Sequence, residues 1–236
     1  MKVERIFLLG ILICLGTTAR AQVWSQNIVG YINQDMYPGD NLIANQLSTS
    51  NDTLNVIFQP GVPEGATFTE WDPATQQYLP ASVYDTTTGW SIDYTLSYGQ
   101  GGLLNTPSAF TNTFVGSVWP GFGGGSTNFS PPLVTGTGRQ ILSCYIPIAP
   151  ATFYDVVGRN PQNGESVTTL DPASQTYTTT TYDDGVWNNG APDLAIGQSA
   201  FFNLEGPYGV PEPAVGELAG VGLLGLAVVR RWRRGV

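Results

Sequence analysis

Fourteen residues in the first half of this chain return 99 positions later, and that duplication restricts the possible folds more than any other feature. Gly65 to Tyr78 aligns with Gly164 to Tyr177 with seven identities: Gly65, Thr69, Asp72, Pro73, Ala74, Gln76 and Tyr78. The match continues through Tyr84-Asp85 against Tyr182-Asp183, Trp90 against Trp187, Gly99-Gln100 against Gly197-Gln198, and Leu103 to Asn105 against Phe201 to Asn203. Upstream, Gly39 to Leu47 falls opposite Gly138 to Ile146, while Ile28 to Ile32 matches Phe114 to Val118 at an offset of only 86. The difference is absorbed by an insertion of roughly Trp119 to Pro131, whose Gly, Ser and Pro content marks a loop. Two copies are too few for a solenoid. Two small domains or one pseudo-symmetric sandwich are the alternatives, and the short junction around Phe110 favours units packed directly against each other.

Each copy reads as β-structure. Val, Ile, Thr, Tyr and Phe runs are cut every eight to twelve residues by Gly, Pro, Asn and Asp. The expected fold class is therefore all-β: two tandem duplicated β-rich units, sandwich or roll-like, over 22–110 and 111–209. Thr67 to Trp71, the turn Asp72-Pro73-Ala74-Thr75 and a return through Tyr78 to Tyr84 predict a hairpin, repeated over Ser166 to Tyr182. Aspartate accepts backbone N–H bonds at the first turn position, and proline presets φ at the second. This turn resembles that of kelch repeats, but only over this stretch, and two copies cannot close a propeller. Short helical turns are expected near Thr53 to Phe58 and Thr152 to Val157.

Charge excludes several functions. Between Gln22 and Gly209 stand two arginines, Arg139 and Arg159, against fifteen acids, a formal charge of −13, with no lysine and no histidine. A phosphate backbone would be repelled, so nucleic acid is not the partner. Without histidine, Ser-His-Asp and Cys-His catalysis and ordinary zinc sites fall away, and no cofactor is expected. Cys144, within the apolar run Ile141 to Ile146, reads as a small core residue.

The two ends read as addresses. Lys2 and Arg5, apolar Ile6 to Leu15 and then Ala19-Arg20-Ala21 predict a signal peptide over 1–21, cleaved before Gln22 after export by the Sec machinery. At the other end, Val210-Pro211-Glu212-Pro213 forms an extended stretch that neither helix nor sheet absorbs. It is followed by an apolar segment over 214–229, expected to be a membrane helix, and by Arg230, Arg231, Arg233 and Arg234. That segment is shorter than the roughly 20 residues of an ordinary span, and the arginines would stay cytoplasmic. Residues 210–236 thus resemble the PEP-CTERM sorting signal of Gram-negative bacteria. The resemblance implies recognition of Pro211, Glu212 and Pro213 by exosortase, a membrane transpeptidase, and transfer to the cell surface or extracellular matrix. Glu217, near the start of the apolar run, departs from the pattern.

Within the body, each candidate site has a plainer explanation. Asp72 and Asp171 could be a glycosidase pair, yet each sits in an Asp-Pro turn. Asp183, Asp184 and Asp193, with Asn188 and Asn189, supply the oxygen ligands that calcium prefers, but at no EF-hand spacing. Trp71, Trp90, Trp119 and Trp187 could stack on sugars, although aromatics in β-domains more often pair across strands. Trp119, in the unmatched insertion, is the favoured contact for a partner. The expected role is a non-enzymatic structural or interaction protein, transiently held in the inner membrane by the C-terminal helix and then exported. A carbohydrate-binding module, with extracellular polysaccharide as partner, is the alternative; a glycan-active enzyme is the less favoured one.

Overall fold

The computed structural model of the chain describes residues 29–49, 51–58, 60–119 and 132–206. The expected signal peptide, the segment that resembles a sorting signal, and residues 120–131 of the insertion lie outside the described residues. Strands dominate, and among the described residues no helix is long and apolar enough to cross a membrane.

The first long strand, β1 (Val29–Met36), is followed by β2 (Gly39–Ala44), β3 (Leu47–Ser48) and a single helical turn, α1 (Leu54–Ile57). Next come β4 (Thr67–Thr69), β5 (Trp71–Asp72), β6 (Gln77–Tyr78), β7 (Ser82–Asp85), β8 (Gly89–Trp90) and β9 (Gly101–Thr106). The second half runs through β10 (Phe110–Val118), β11 (Gly138–Leu142), α2 (Phe153–Val157), β12 (Ser166–Asp171), β13 (Thr176–Asp183), β14 (Val186–Trp187) and β15 (Ala200–Leu204). One five-stranded sheet has the order β2-β9-β4-β7-β8 and the other β11-β15-β12-β13-β14, which is the same order with equivalent strands in equivalent places. The helical turns fall where the sequence predicts them. Thr152 and Asp155 form a reciprocal capping box on α2, and Gly158, at φ 81°, closes it in the left-handed region that glycine tolerates.

The predicted hairpin is present in both halves but is not identical. In the second half β12 and β13 pair continuously from Ser166–Thr181 to Asp171–Thr176. In the first half Pro80, which has no N–H to donate, interrupts the return strand, so the tip β5–β6 separates from β4–β7. The tip is kept in line by a bond from Leu79 N to Glu70 O at 2.9 Å.

A third sheet, β1-β10-β3, joins the halves. β1 and β10 are antiparallel over eight residue pairs, and Gly30 faces Gly116. Those two glycines are also equivalent at the repeat offset of 86, so a pseudo-two-fold axis passes between them. Further bridges obey the same symmetry: Ile43 with Gln198 and Leu142 with Gln100, plus Ala44 N to Gly197 O at 2.8 Å and Ser143 N to Gly99 O at 3.0 Å. A side chain at Gly101, near the centre, would overlap Ser199 and Ile141.

The apolar interior follows this plan. One cluster, including Phe58, Phe68, Trp90 and Leu104, fills the first half; a second, including Phe153, Val157, Val167 and Phe202, fills the other. Leu42, Trp71 and Leu103 meet their equivalents Ile141, Leu170 and Phe201 in a third cluster between them. The division at 110/111 does not separate the cores, because Phe114 of β10 is buried in the first cluster while Val118 and Trp119 pack on the second. Cys144 is buried and free, and burial pushes its thiol up to about 11, which suits packing rather than nucleophilic chemistry.

Among the described residues, the second half carries one buried ion pair that the first half lacks. Arg159 meets both oxygens of Glu165 at 2.8 and 2.5 Å, and Glu165 also accepts from Gln162 N and Glu205 N. Glu165 is wholly buried. Its counterpart in the first half is Ala66, also buried.

Candidate functional site

The two hairpin tips reach across the pseudo-dyad, and this crossing borders a cleft. Gln76 and Gln175, identical in both copies, sit at φ 56° and 55°, a left-handed conformation that costs a non-glycine residue energy. That backbone aims each side chain at the other half. Gln175 accepts from Asp40 N at 2.7 Å and donates to Asp40 O at 2.9 Å; Gln76 accepts from Arg139 N at 2.8 Å and donates to Arg139 O at 3.1 Å. Each amide also returns a bond to its own turn, to Pro172 O or Pro73 O, both at 2.7 Å. The glutamines therefore act as side-chain extensions of the sheet ladder, clamping the halves symmetrically.

Behind the clamps stand Tyr78 and Tyr177, equivalent and each a little under half exposed. They border a cleft of about 500 Å³ with Arg139, Phe201, Ser166, Thr168, Thr179 and Asn203. Strand alternation explains the lining. Val167 and Phe202 point to the core of the second half, so Ser166, Thr168, Phe201 and Asn203 share the opposite face, where Phe201 is buried in the third cluster. The Arg139 guanidinium lies 3.9 Å from the Phe201 ring centroid and 5.3 Å from that of Trp71. Trp71 Nε1 donates to Arg139 O at 2.6 Å, and Tyr78 packs edge-on against the indole at 4.9 Å. Aromatic faces thus fix the guanidinium, yet among the described residues no carboxylate pairs with it.

The position equivalent to Arg139 is Asp40, and its environment is closed. Its carboxylate accepts from Asn105 Nδ2 at 2.7 Å and from Tyr177 OH at 2.9 Å. Burial and donation to Asp40 push the Tyr177 phenol above its ordinary pKa. Burial also raises that of Tyr78, with Arg139 working against the rise and Asp40 with it.

A smaller cavity beneath the first hairpin holds a group the sequence reading missed. Glu70 lines it with Trp71, Gln100 and Gln140, and neither Glu70 Oε1 nor the buried Gln140 Nε2 has a described partner. Burial pushes the Glu70 carboxyl up to about 7. The native state therefore holds this proton more tightly than the unfolded chain, whose value is near 4.5. The contribution to stability is fully present below pH 4.5 and is lost as pH rises through about 7. On the acid side the sign reverses. Asp72, Asp171 and Asp85 are lowered, first by bonds from Thr75, Ser174 and Thr87 respectively, so their contribution is lost as pH falls below the ordinary aspartate value of 3.8. Melting temperature should decline between pH 5 and 8 in the parent protein, and Glu70→Gln should flatten that decline (about pH 5 to 8 brackets the Glu70 transition). An unchanged slope in the variant would disprove the assignment.

The residues singled out in the sequence are dispersed. Asp72 accepts from Ala74 N at 2.9 Å and Thr75 Oγ1 at 2.7 Å, and Asp171 from Ala173 N at 3.1 Å and Ser174 Oγ at 2.7 Å. Asp171 is exposed and Asp72 half-buried, and both are turn-holding groups with lowered pKa, so neither resembles the proton-donating acid of a glycosidase pair. Asp183, Asp184 and Asp193 are exposed and do not gather into a three-ligand group among the described residues; Asp184 N instead bonds Asp183 Oδ1 at 3.1 Å. Trp119 is half-buried against the second core, 5.8 Å from the Tyr145 ring. Trp90 is in the first core and Trp187 packs against the second, so only Trp71 of the four comes near the cleft, whose exposed rings are tyrosines. Compared with family models, curated proteins and solved structures, the chain matches none of them.

Proposed function

We propose that this is an exported protein of the cell surface or extracellular matrix, processed by an exosortase-type transpeptidase, whose body of two tandem duplicated β-rich units has a non-enzymatic structural or interaction role. The observation that carries the reading is the order of three elements in residues 210–236: Val210-Pro211-Glu212-Pro213, an apolar run, and Arg230, Arg231, Arg233 and Arg234. The body is consistent with it. Its turn aspartates hold hairpins, its symmetric glutamines hold the halves together, and its acidity keeps it soluble and away from polyanions such as nucleic acid. Glycan binding is the second reading, favoured by the open, hydroxyl-lined cleft with its two tyrosines and stacked arginine.

Mass spectrometry of the surface form tests the sorting step. The mature protein should begin at Gln22 and lack residues from Arg230 to Val236. Surface protein that retains those arginines would sink the reading, as would unaltered delivery after replacement of Pro211, Glu212 and Pro213 by alanine.

A further inference from the structure

We propose that the cleft at the junction of the two halves binds a sparsely carboxylated glycan, placing a uronic acid carboxylate on Arg139; this deepens the interaction role proposed above and rests on it. Four observations carry the assignment. First, Arg139 is one of only two arginines in a body with fifteen acids, yet no described carboxylate pairs with it. The other, Arg159, is consumed by Glu165. Second, Arg139 is held on the rings of Phe201 and Trp71, and its backbone is fixed by Gln76 and Trp71 Nε1. A guanidinium so placed offers a planar fork that matches a carboxylate in two parallel bonds, with little side-chain entropy left to lose.

Third, the rest of the lining suits a sugar. Ser166, Thr168, Thr179 and Asn203 present hydroxyl and amide groups across three neighbouring strands, and the Tyr78 and Tyr177 rings border them. Hydroxyl-rich ligands need a row of small donors and acceptors, and the apolar face of a pyranose needs an aromatic surface. About 500 Å³ lies within the range of ordinary small-ligand clefts and accommodates a short saccharide segment. Fourth, the pseudo-symmetric position shows the alternative state. Asp40 is already satisfied by Asn105 and Tyr177, whereas Arg139, facing Asn203 across the β11–β15 ladder, is left open. The surrounding charge of −13 would repel a densely charged polymer, so the ligand is one in which carboxylates are widely spaced among neutral sugars.

The test uses the full chain solubilised in detergent and isothermal titration with three probes: a trisaccharide with central glucuronate, the same trisaccharide with glucose at that place, and a glutamate-rich hexapeptide. The glucuronate probe should bind about tenfold or more tightly than the glucose probe, the loss expected for one charge-assisted pair. Arg139→Gln should abolish that preference. Arg139→Lys should restore part of it, since the charge remains and the fork is lost. Because the Arg139 side chain also packs on two rings, melting temperatures accompany each variant, and Asn203→Ala, at an exposed position, supplies an independent reduction in affinity for both sugars. Equal binding of the two trisaccharides, an undiminished preference in folded Arg139→Gln, or tighter binding of the peptide would overturn the proposal. Retention of the chain on intact matrix, measured in parallel, separates the outcomes. Retention without glucuronate preference rejects this site alone, and loss of both rejects the interaction role as well.

Discussion

Replacing Glu165 by alanine is expected to cost about 3–5 kcal/mol of folding stability, the price of leaving a buried guanidinium without its carboxylate. Glu165 is wholly buried and accepts four bonds, two from Arg159 and one each from Gln162 N and Glu205 N. Removing it leaves all four donors without that acceptor. Arg159→Met alone should be similarly harmful, since it strands the carboxylate. The pair Arg159→Met and Glu165→Leu should recover part of the loss, because apolar groups of similar volume often replace a buried ion pair at little cost, while Gln162 N and Glu205 N stay without their acceptor. The first half of the molecule already illustrates such a solution, with Ala66 at the equivalent place. Urea unfolding of the parent, Arg159→Met, Glu165→Leu and the double variant measures the coupling directly. Simple additivity in that cycle would show that the pair is not a unit.

The second large effect concerns the clamps. Gln76→Ala with Gln175→Ala removes four bonds across the junction, at 2.7, 2.9, 2.8 and 3.1 Å. Net bonds of this kind are worth roughly 0.5–1.5 kcal/mol each, and these are solvent-exposed, so about 2–4 kcal/mol is expected for the double variant. Alanine keeps the unfavourable positive φ at both sites, so the loss is not repaid by relief of backbone strain. Calorimetry should show one transition in the parent protein and a broadened or divided one in the variant, as the two cores lose the contacts that make them melt together. Gln175→Asn provides a control, because asparagine tolerates positive φ but is one methylene too short to reach Asp40. It should behave like alanine. A double variant that melts in a single unshifted transition would show that the third apolar cluster and the β1–β10 ribbon suffice to join the halves.

These two cases show how far the sequence could be read. The repeat, the hairpins and both helical turns were legible, because turn chemistry is local and is written twice: Asp-Pro-Ala appears at 72–74 and at 171–173. The purpose of Gln76 and Gln175 was not legible. Their identity between copies was visible, but only the crossing of the tips reveals that each serves the opposite half. Glu70 gave no signal at all, since its equivalent is Thr169 and its raised pKa comes from burial among residues distant in the chain. Trp119 opens a segment without a counterpart, and the contact of its ring with Tyr145 also has no local signature in the sequence. The ribbon of β1 and β10 likewise shares residues between cores in a way that a boundary drawn at 110/111 could not express.

The axis between Gly30 and Gly116 has a consequence for how such a surface can specialise. Two separate chains of one unit, meeting about that axis, would have to carry the same residue at both ends of the junction, two aspartates or two arginines. Joining the copies in one chain removes that obligation. Here position 40 holds an acid already satisfied from within, and its mate at 139 holds a cation that is not. Tandem linkage thus allows a nearly symmetric scaffold to present a polar direction, so that an elongated partner lying along the junction can be read in one orientation only.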